Sequence, residues 1–384
     1  MSRYVSSQAE LEKLAHDLEG SRVLAIDTEF LREKTYYAKL CLLQLNNGDI
    51  QAIVDPFRVD DLSVLSAILV DKGCTKIFHA GNQDIDILYR ETGVVPTPVF
   101  DTQLAASLLG HPLQVGYGPL VRSVCDVKLP KADSYTDWSR RPLTDDQLKY
   151  ALDDVVYLPQ IYDIFVHDLK KKGRLSWLDS DFAALSDPKS YTCDPREMWH
   201  KVKRVSTLNR GQLAVAREIA AWREREAMRR NIPRKRVLAD EAVVEIARKA
   251  PKTRERLFEV RGLSGKLGNY DVNQILEAVR RGRELPESQW PKPPRRPHGD
   301  HEVDGAVDLM SALVEVRAKQ NGVAAPLLAS HAELTKLARG HRDEVDVLKG
   351  WRYEMVGKEL LDLLEGRLVL YLDKGTIEVT ERQQ

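Results

Sequence analysis

Cysteine is scarce in this 384-residue chain, and its four copies, Cys41, Cys74, Cys125 and Cys193, include no Cys-x-x-Cys pair. Neither a disulfide framework nor a zinc site is therefore expected, and a reducing compartment fits. No apolar run approaches the roughly 20 residues that a membrane-spanning helix needs. The N-terminus, MSRYVSSQAELEKLAHDLEG, reads as a short lead-in and an amphipathic helix capped near Ser6 or Ser7, without a signal-peptide core. A soluble, cytoplasmic protein is expected. The phosphate-binding pattern Gly-x-x-x-x-Gly-Lys-[Ser/Thr] is also missing, and the chain has no room for a helicase core. Net charge is zero, yet residues 200–297 carry 25 Lys plus Arg against 12 Asp plus Glu, an excess the rest of the chain must cancel. A basic module beside an acidic one suits a protein that holds a phosphate backbone.

What is present is a set of carboxylates with meaningful spacing. Asp27 and Glu29 lie at i and i+2 in VLAIDTEF, an apolar and β-branched run, so on a strand both point the same way. Asp84 follows the apolar run TKIFHA, at the first turn of a helix whose start is signalled by Gly81 and Asn82. Tyr150 and Asp154 lie at i and i+4 in KYALDDVVYL and share a face of a helix beginning near Thr144. Asp153, at i+3 from Tyr150, is the rival for the helical position. Oxygen ligands gathered from strand and helix are what hard divalent cations prefer. Asp-x-Glu recurs at Asp17/Glu19 and Asp300/Glu302, where a solvated helix face or loop is the simpler reading. The conjunction of the five residues reads as a two-metal site for phosphodiester cleavage.

The order Asp-x-Glu, His-x-x-x-x-Asp, Tyr-x-x-x-Asp resembles the DEDD 3′ to 5′ exonucleases of the tyrosine-bearing subgroup. FLREKTYYAKLCLLQL, FDTQLAASLLG and TDWSRRPLTDDQLKYALDDVVYL narrow the resemblance to the ribonuclease D family over about the first 170 residues. The resemblance implies two divalent ions, Mg²⁺ or Mn²⁺, with Asp27 bridging them, Glu29 and Asp154 completing one, and Asp84 holding the other through water. Tyr150 would orient the attacking water. It further implies a hydrolytic 3′ to 5′ exoribonuclease that releases 5′-mononucleotides from single-stranded 3′ tails, with precursor tRNA 3′ ends as the substrate class. A DNA exonuclease and a noncatalytic RNA-binding scaffold are the alternatives. No obligate protein partner and no membrane are inferred.

Thr28, Phe30, His79, Trp138 and Arg141 are candidate substrate contacts, the last four set against a plainer role. Phe30 falls on the core-facing side of its strand by alternation, and His79 fits a satisfied, partly buried histidine equally well. Trp138 and Arg141 fit a cap-and-loop role before the Tyr150 helix, and Asp101 reads as an N-cap. The expected architecture is an α/β ribonuclease H-like exonuclease domain, a mixed sheet flanked by helices, over residues 1–200. Strands are expected near 22–29, 39–46, 50–54, 75–79 and 98–100, with helix and loop from 113 to 137. LNRGQLAVAREIAAWREREAMRRNIPRKRVLADEAVVEIARKAPKT, together with LFEVRGLSGKLGNYDVNQILEAV, resembles the HRDC domain, giving a basic all-α unit over 207–287. Leu213, Ile219, Ala220 and Trp222 mark its core face, Pro233 a helix break, and Gly262 and Gly265 a turn. A Pro-rich extended linker at 288–300 then leads to a second, degenerate HRDC-like helical domain at 301–384, closed by a hairpin around Asp373-Lys374-Gly375.

Overall fold

The computed structural model describes residues 2–130, 136–263, 267–292 and 303–382. Its chain forms two compact units: residues 1–29, 41–190 and 299–384 make the first, and 30–40 with 191–298 make the second.

The first unit is built on β1 (Ser2–Val5), β2 (Val23–Leu31), β3 (Lys39–Asn46), β4 (Gln51–Val54), β5 (Thr75–Phe78) and β6 (Val99–Asp101), ordered β1-β4-β3-β2-β5-β6. β3 and β4 are antiparallel, while β1/β4, β2/β5 and β5/β6 are parallel. β1 was expected only as a lead-in; it pairs from Ser2↔Gln51 to Val5↔Val54. Central strands covered on both faces read as near-continuous apolar runs, as LCLLQL does. Every residue of β3 from Leu40 to Asn46 is buried, Gln44 and Asn46 included.

Helices cover the sheet: α1 (Gln8–Asp17), α2 (Ser66–Val70), α3 (Asn82–Thr92), α4 (Thr102–Ser107), α5 (Tyr117–Cys125), α6 (Asp145–Val156), α7 (Leu158–Lys171) and α8 (Asp179–Leu185). The cap of α1 is Ser7, whose hydroxyl accepts from the Glu10 amide. α6 begins at a reciprocal capping box. The Gln147 amide donates to Thr144 Oγ1 at 3.2 Å and the Thr144 amide to Gln147 Oε1 at 2.8 Å. Gly81 is obligatory before α3, since a Cβ there would sit 2.3 Å from Phe78 Cβ. Of the stretch expected as helix and loop beside the site, α5 is the helix, and residues 131–135 lie outside the described residues.

The second unit comprises α9 (Arg210–Arg230), α10 (Arg234–Val237), α11 (Asp240–Lys249), α12 (Arg254–Phe258) and α13 (Asn269–Glu284). Leu213, Ile219, Ala220 and Trp222 all enter its core. Gly282 lets α13 close on α9, because a Cβ would lie 2.5 Å from Val215 Cα. The 30–40 segment is seated on this bundle: Tyr36 Oη donates to Glu224 Oε1 at 2.5 Å, and the Tyr36 and Tyr37 amides donate to Asn231 Oδ1. Pro233 caps α10, and Gly262 takes a left-handed turn at φ 86°; Gly265 lies outside the described residues. The start of the expected extended linker is folded instead. Glu287–Gln289 form a 3-10 turn, and Trp290 Nε1 donates to the Leu285 carbonyl with its ring against Gly211.

Back in the first unit come α14 (Asp304–Asn321), α15 (Ala325–Leu328), α16 (His331–Ala338), α17 (Gly350–Arg352), a π-helical turn at Tyr353–Gly357, and α18 (Lys358–Leu364). β7 (Leu368–Asp373) and β8 (Thr376–Glu381) close the chain as a hairpin. Lys374 and Gly375, both at positive φ, supply its two-residue loop. These helices share one apolar core with α4, α5 and α7, joining Phe100, Leu108 and Phe165 to Met310, Leu313 and Leu360. Buried Arg174 donates to the Leu108 and Asn321 carbonyls, and Trp177 stacks on Trp351 at 4.5 Å.

Candidate active site

β2 turns Val23 and Ala25 toward Val155 and Leu158, so strand alternation sends Asp27 and Glu29 to the same layer. α6 lies over that layer and brings Asp154. Carboxylate oxygens of Asp27, Glu29 and Asp154 lie within 4.8 Å of one another. Asp153, the rival, is outside that trio; its backbone carbonyl accepts from Tyr117 Oη at 3.0 Å. Asp84, buried on α3, accepts from Thr28 Oγ1 at 2.5 Å, and its charge is the strongest neighbouring one acting on Asp27.

The electrostatics are those of crowded acid groups. Burial, followed by Asp84, Asp154 and Glu29, raises Asp27 well above the usual carboxylate range. Glu29 is pushed up to about 8 by burial and then by Asp154 and Asp84. Burial lifts Asp154 to about 7 against a hydrogen bond from Tyr150, and lifts Asp84 to about 6 against the bond from Thr28. Tyr150 is raised by burial and by Asp154, Glu29 and Asp27, so it stays a neutral phenol. The strongest charges acting on Asp27 and Glu29 are all carboxylates. Gathered carboxylates of this kind are costly to ionise unless metal ions hold them, and a donor set of oxygens alone fits hard divalent cations. Alongside opens a cleft of about 1260 Å³ lined by Tyr150, Asp153 and Asp154 of α6, Trp138 and Arg140 of the preceding loop, and Tyr117 of α5.

A family model described as 3′-5′ exonuclease matches residues 2–170, and the HRDC domain model matches 212–279. The ribonuclease D of Sphingobium indicum is 40% identical over 94% of this chain and 94% of its own. That of Acidiphilium cryptum is 39% identical over 97% and 95%. This chain belongs to the ribonuclease D family. Its fold is similar to that of Escherichia coli RNase D, with a TM-score of 0.81 and 29% identity over 95% of this chain and 99% of that one. That protein is described as an exoribonuclease involved in structured RNA processing.

Within this ribonuclease D family member the other candidate residues have other partners. Arg141 uses all five N–H donors of a guanidinium inside the protein. Nε and Nη2 reach Asp55 at 2.6 and 2.8 Å, Nη1 the Trp138 and Arg140 carbonyls, and Nη2 the Cys41 carbonyl. It is a clamp with no donor left for RNA in this conformation. His79 is likewise engaged, Nδ1 with Thr102 Oγ1 and Nε2 with the Val115 carbonyl, both at 2.9 Å, and burial lowers its pKa. Thr28 is committed to Asp84. Phe30 is half-buried rather than part of a closed core, and falls in the second unit. Trp138 stacks on Tyr150, centroids 6.0 Å apart at 28°. Asp101 caps α4 and also accepts from the Ala80 and Gly81 amides, holding the turn that delivers Asp84. Tyr117, absent from the sequence reading, lies under α6, where its hydroxyl also accepts from the Tyr157 amide. Nothing in its local pattern signals that role.

Proposed function

We propose that this 3′ to 5′ exoribonuclease works with two divalent cations, Mg²⁺ or Mn²⁺, held by Asp27, Glu29, Asp84 and Asp154. The observation that carries the reading is the convergence of three carboxylates within 4.8 Å, with a fourth alongside, and the strongest charges acting on Asp27 and Glu29 are themselves carboxylates. Cations bound there would supply charge against the scissile phosphate and a nucleophile at neutral pH. Asp27, Glu29 and Asp154 would hold one cation, and Asp84 would serve the second together with Asp27. Tyr150, a phenol hydrogen-bonded to Asp154, orients the attacking water toward the last phosphate, so 5′-mononucleotides leave one at a time without a covalent intermediate.

RNA with single-stranded 3′ tails is the substrate, precursor tRNA ends among them. The second unit, rich in Lys and Arg, holds the phosphate backbone. The helices from α14 to α18 are read as a second, degenerate HRDC-like domain, supported by the faint repeat of the α9–α13 plan. The setting is the cytoplasm; among the described residues no helix is long and apolar enough to cross a membrane. The test is digestion of matched 3′-extended RNA and DNA with Mn²⁺ or Mg²⁺. Mononucleotides are expected from RNA, and Asp27→Asn and Asp154→Asn should each abolish release while leaving the fold intact. Full activity in both variants overturns the assignment.

A further inference from the structure

α6 and α7 follow one another with only Tyr157 between them, and the break falls just after the turn that carries Asp154. In an unbroken α-helix the Tyr157 amide would donate to the Asp153 carbonyl. Here it is turned instead to Tyr117 Oη at 3.3 Å and to the Val155 carbonyl, while Tyr117 Oη donates to the Asp153 carbonyl at 3.0 Å. The phenol of α5 thus stands in one rung of the helical ladder, and a side chain inserted there is a known cause of a kink. A second rung is replaced as well. Pro159 has no N–H to offer the Val155 carbonyl, and Asn46 Nδ2 of β3 donates to it at 2.9 Å. The ring of Tyr117 packs against the cluster that joins Val23 and Ala25 of β2 to Val155 of α6 and Leu158 of α7. One side chain therefore links the strand that carries Asp27 and Glu29 to the helical turn that carries Asp154. Burial raises the Tyr117 pKa and, against the bond from the Tyr157 amide, the charges of Asp154 and Asp27 raise it further, so the hydroxyl keeps the proton it donates.

We propose that Tyr117 is a positioning residue for Asp154. Its hydroxyl holds α6 and α7 apart at Tyr157, and that break sets Asp154 where one cation can touch it together with Asp27 and Glu29. This rests on the metal reading of the site. Without the hydroxyl the Asp153 carbonyl and the Tyr157 amide are free to join directly, the last turn of α6 straightens, and Asp154 moves with it. The fold loses little, because a backbone bond takes the place of the two bonds to the phenol.

The experiment uses the full chain with Tyr117→Phe, which removes one oxygen and keeps the ring in its cluster. Measured are the Tm of the metal-free protein, Mn²⁺ affinity by calorimetry, and kcat and KM on a 3′-extended RNA oligonucleotide. Expected are a Tm close to that of the wild type, Mn²⁺ affinity weakened about tenfold, as when partners that orient metal ligands are replaced, a lower kcat and an unchanged KM. Val23→Ala serves as the packing control: it thins the same cluster and leaves the hydroxyl bridge, so it should lower Tm and keep wild-type Mn²⁺ affinity. Wild-type Mn²⁺ affinity in Tyr117→Phe overturns the proposal. So does its failure to fold, or an equal loss of affinity in Val23→Ala, since the phenol would then be structural. Asp27→Asn is run alongside to separate the two readings. If it binds Mn²⁺ as the wild type does, the metal reading falls and this proposal with it; if it does not, a wild-type result for Tyr117→Phe counts against Tyr117 alone.

Discussion

Arg141→Met keeps the aliphatic stem and removes the guanidinium that ties the loop before α6 to the sheet. Lost are two bonds to Asp55 at 2.6 and 2.8 Å and three to backbone carbonyls at 2.8 Å each. The Asp55 side chain, 1% exposed, keeps Tyr4 Oη at 2.7 Å and the Phe57 amide at 3.0 Å. Removing one partner of a buried ion pair costs about 3–5 kcal/mol. The two surviving donors place this case at the low end, about 3 kcal/mol, or about 6–12 °C in Tm at roughly 2–4 °C per kcal/mol. The pH dependence identifies the cause. Burial alone would raise the Asp55 carboxyl, but bonds from Arg141, Tyr4 and the Phe57 amide outweigh it and hold the pKa below the usual range. A lowered native pKa means a contribution complete above about pH 4 that fades as pH falls further. The gap between wild type and variant is therefore full at pH 7 and closes on acidification. Urea unfolding followed by tryptophan fluorescence at several pH values, in a double-mutant cycle with Asp55→Asn, measures it. A gap under about 1 kcal/mol, one unchanged by pH, or strict additivity in the cycle refutes the clamp.

Metal-free protein should lose stability as pH rises from about 4 to about 8, because Asp84, Asp154 and Glu29 have native pKa values raised to about 6, 7 and 8. Their favourable contribution is complete below the unfolded values near 4 and lost above the native ones; melting curves with and without Mn²⁺ should show the fall, and its removal by metal. Tyr150→Phe should lower kcat by about tenfold or more while RNA affinity, measured by filter binding, changes little. Tyr36→Phe leaves Glu224, 0% exposed, without its phenol partner; a loss of about 1–3 kcal/mol in the second unit is expected, readable by calorimetry. Gly282→Ala forces a Cβ to 2.5 Å from Val215 Cα, and separating the α9 and α13 backbones should destabilise that unit by at least about 1–3 kcal/mol.

The parts of the fold legible in the sequence are those whose signal is local. The i, i+2 acids of β2, the Thr144–Gln147 box of α6 and the Asp373-Lys374-Gly375 turn each carry their geometry within a few residues, and the structure places each element there. β1 was illegible for the opposite reason: its partner β4 begins 46 residues after Val5, with no turn between them to announce the pairing. Arg141 and His79 were left with two readings for the same reason. A basic or imidazole side chain near an active site looks free until its distant partners are known, and those partners are Asp55 and Cys41 for one, Thr102 and Val115 for the other.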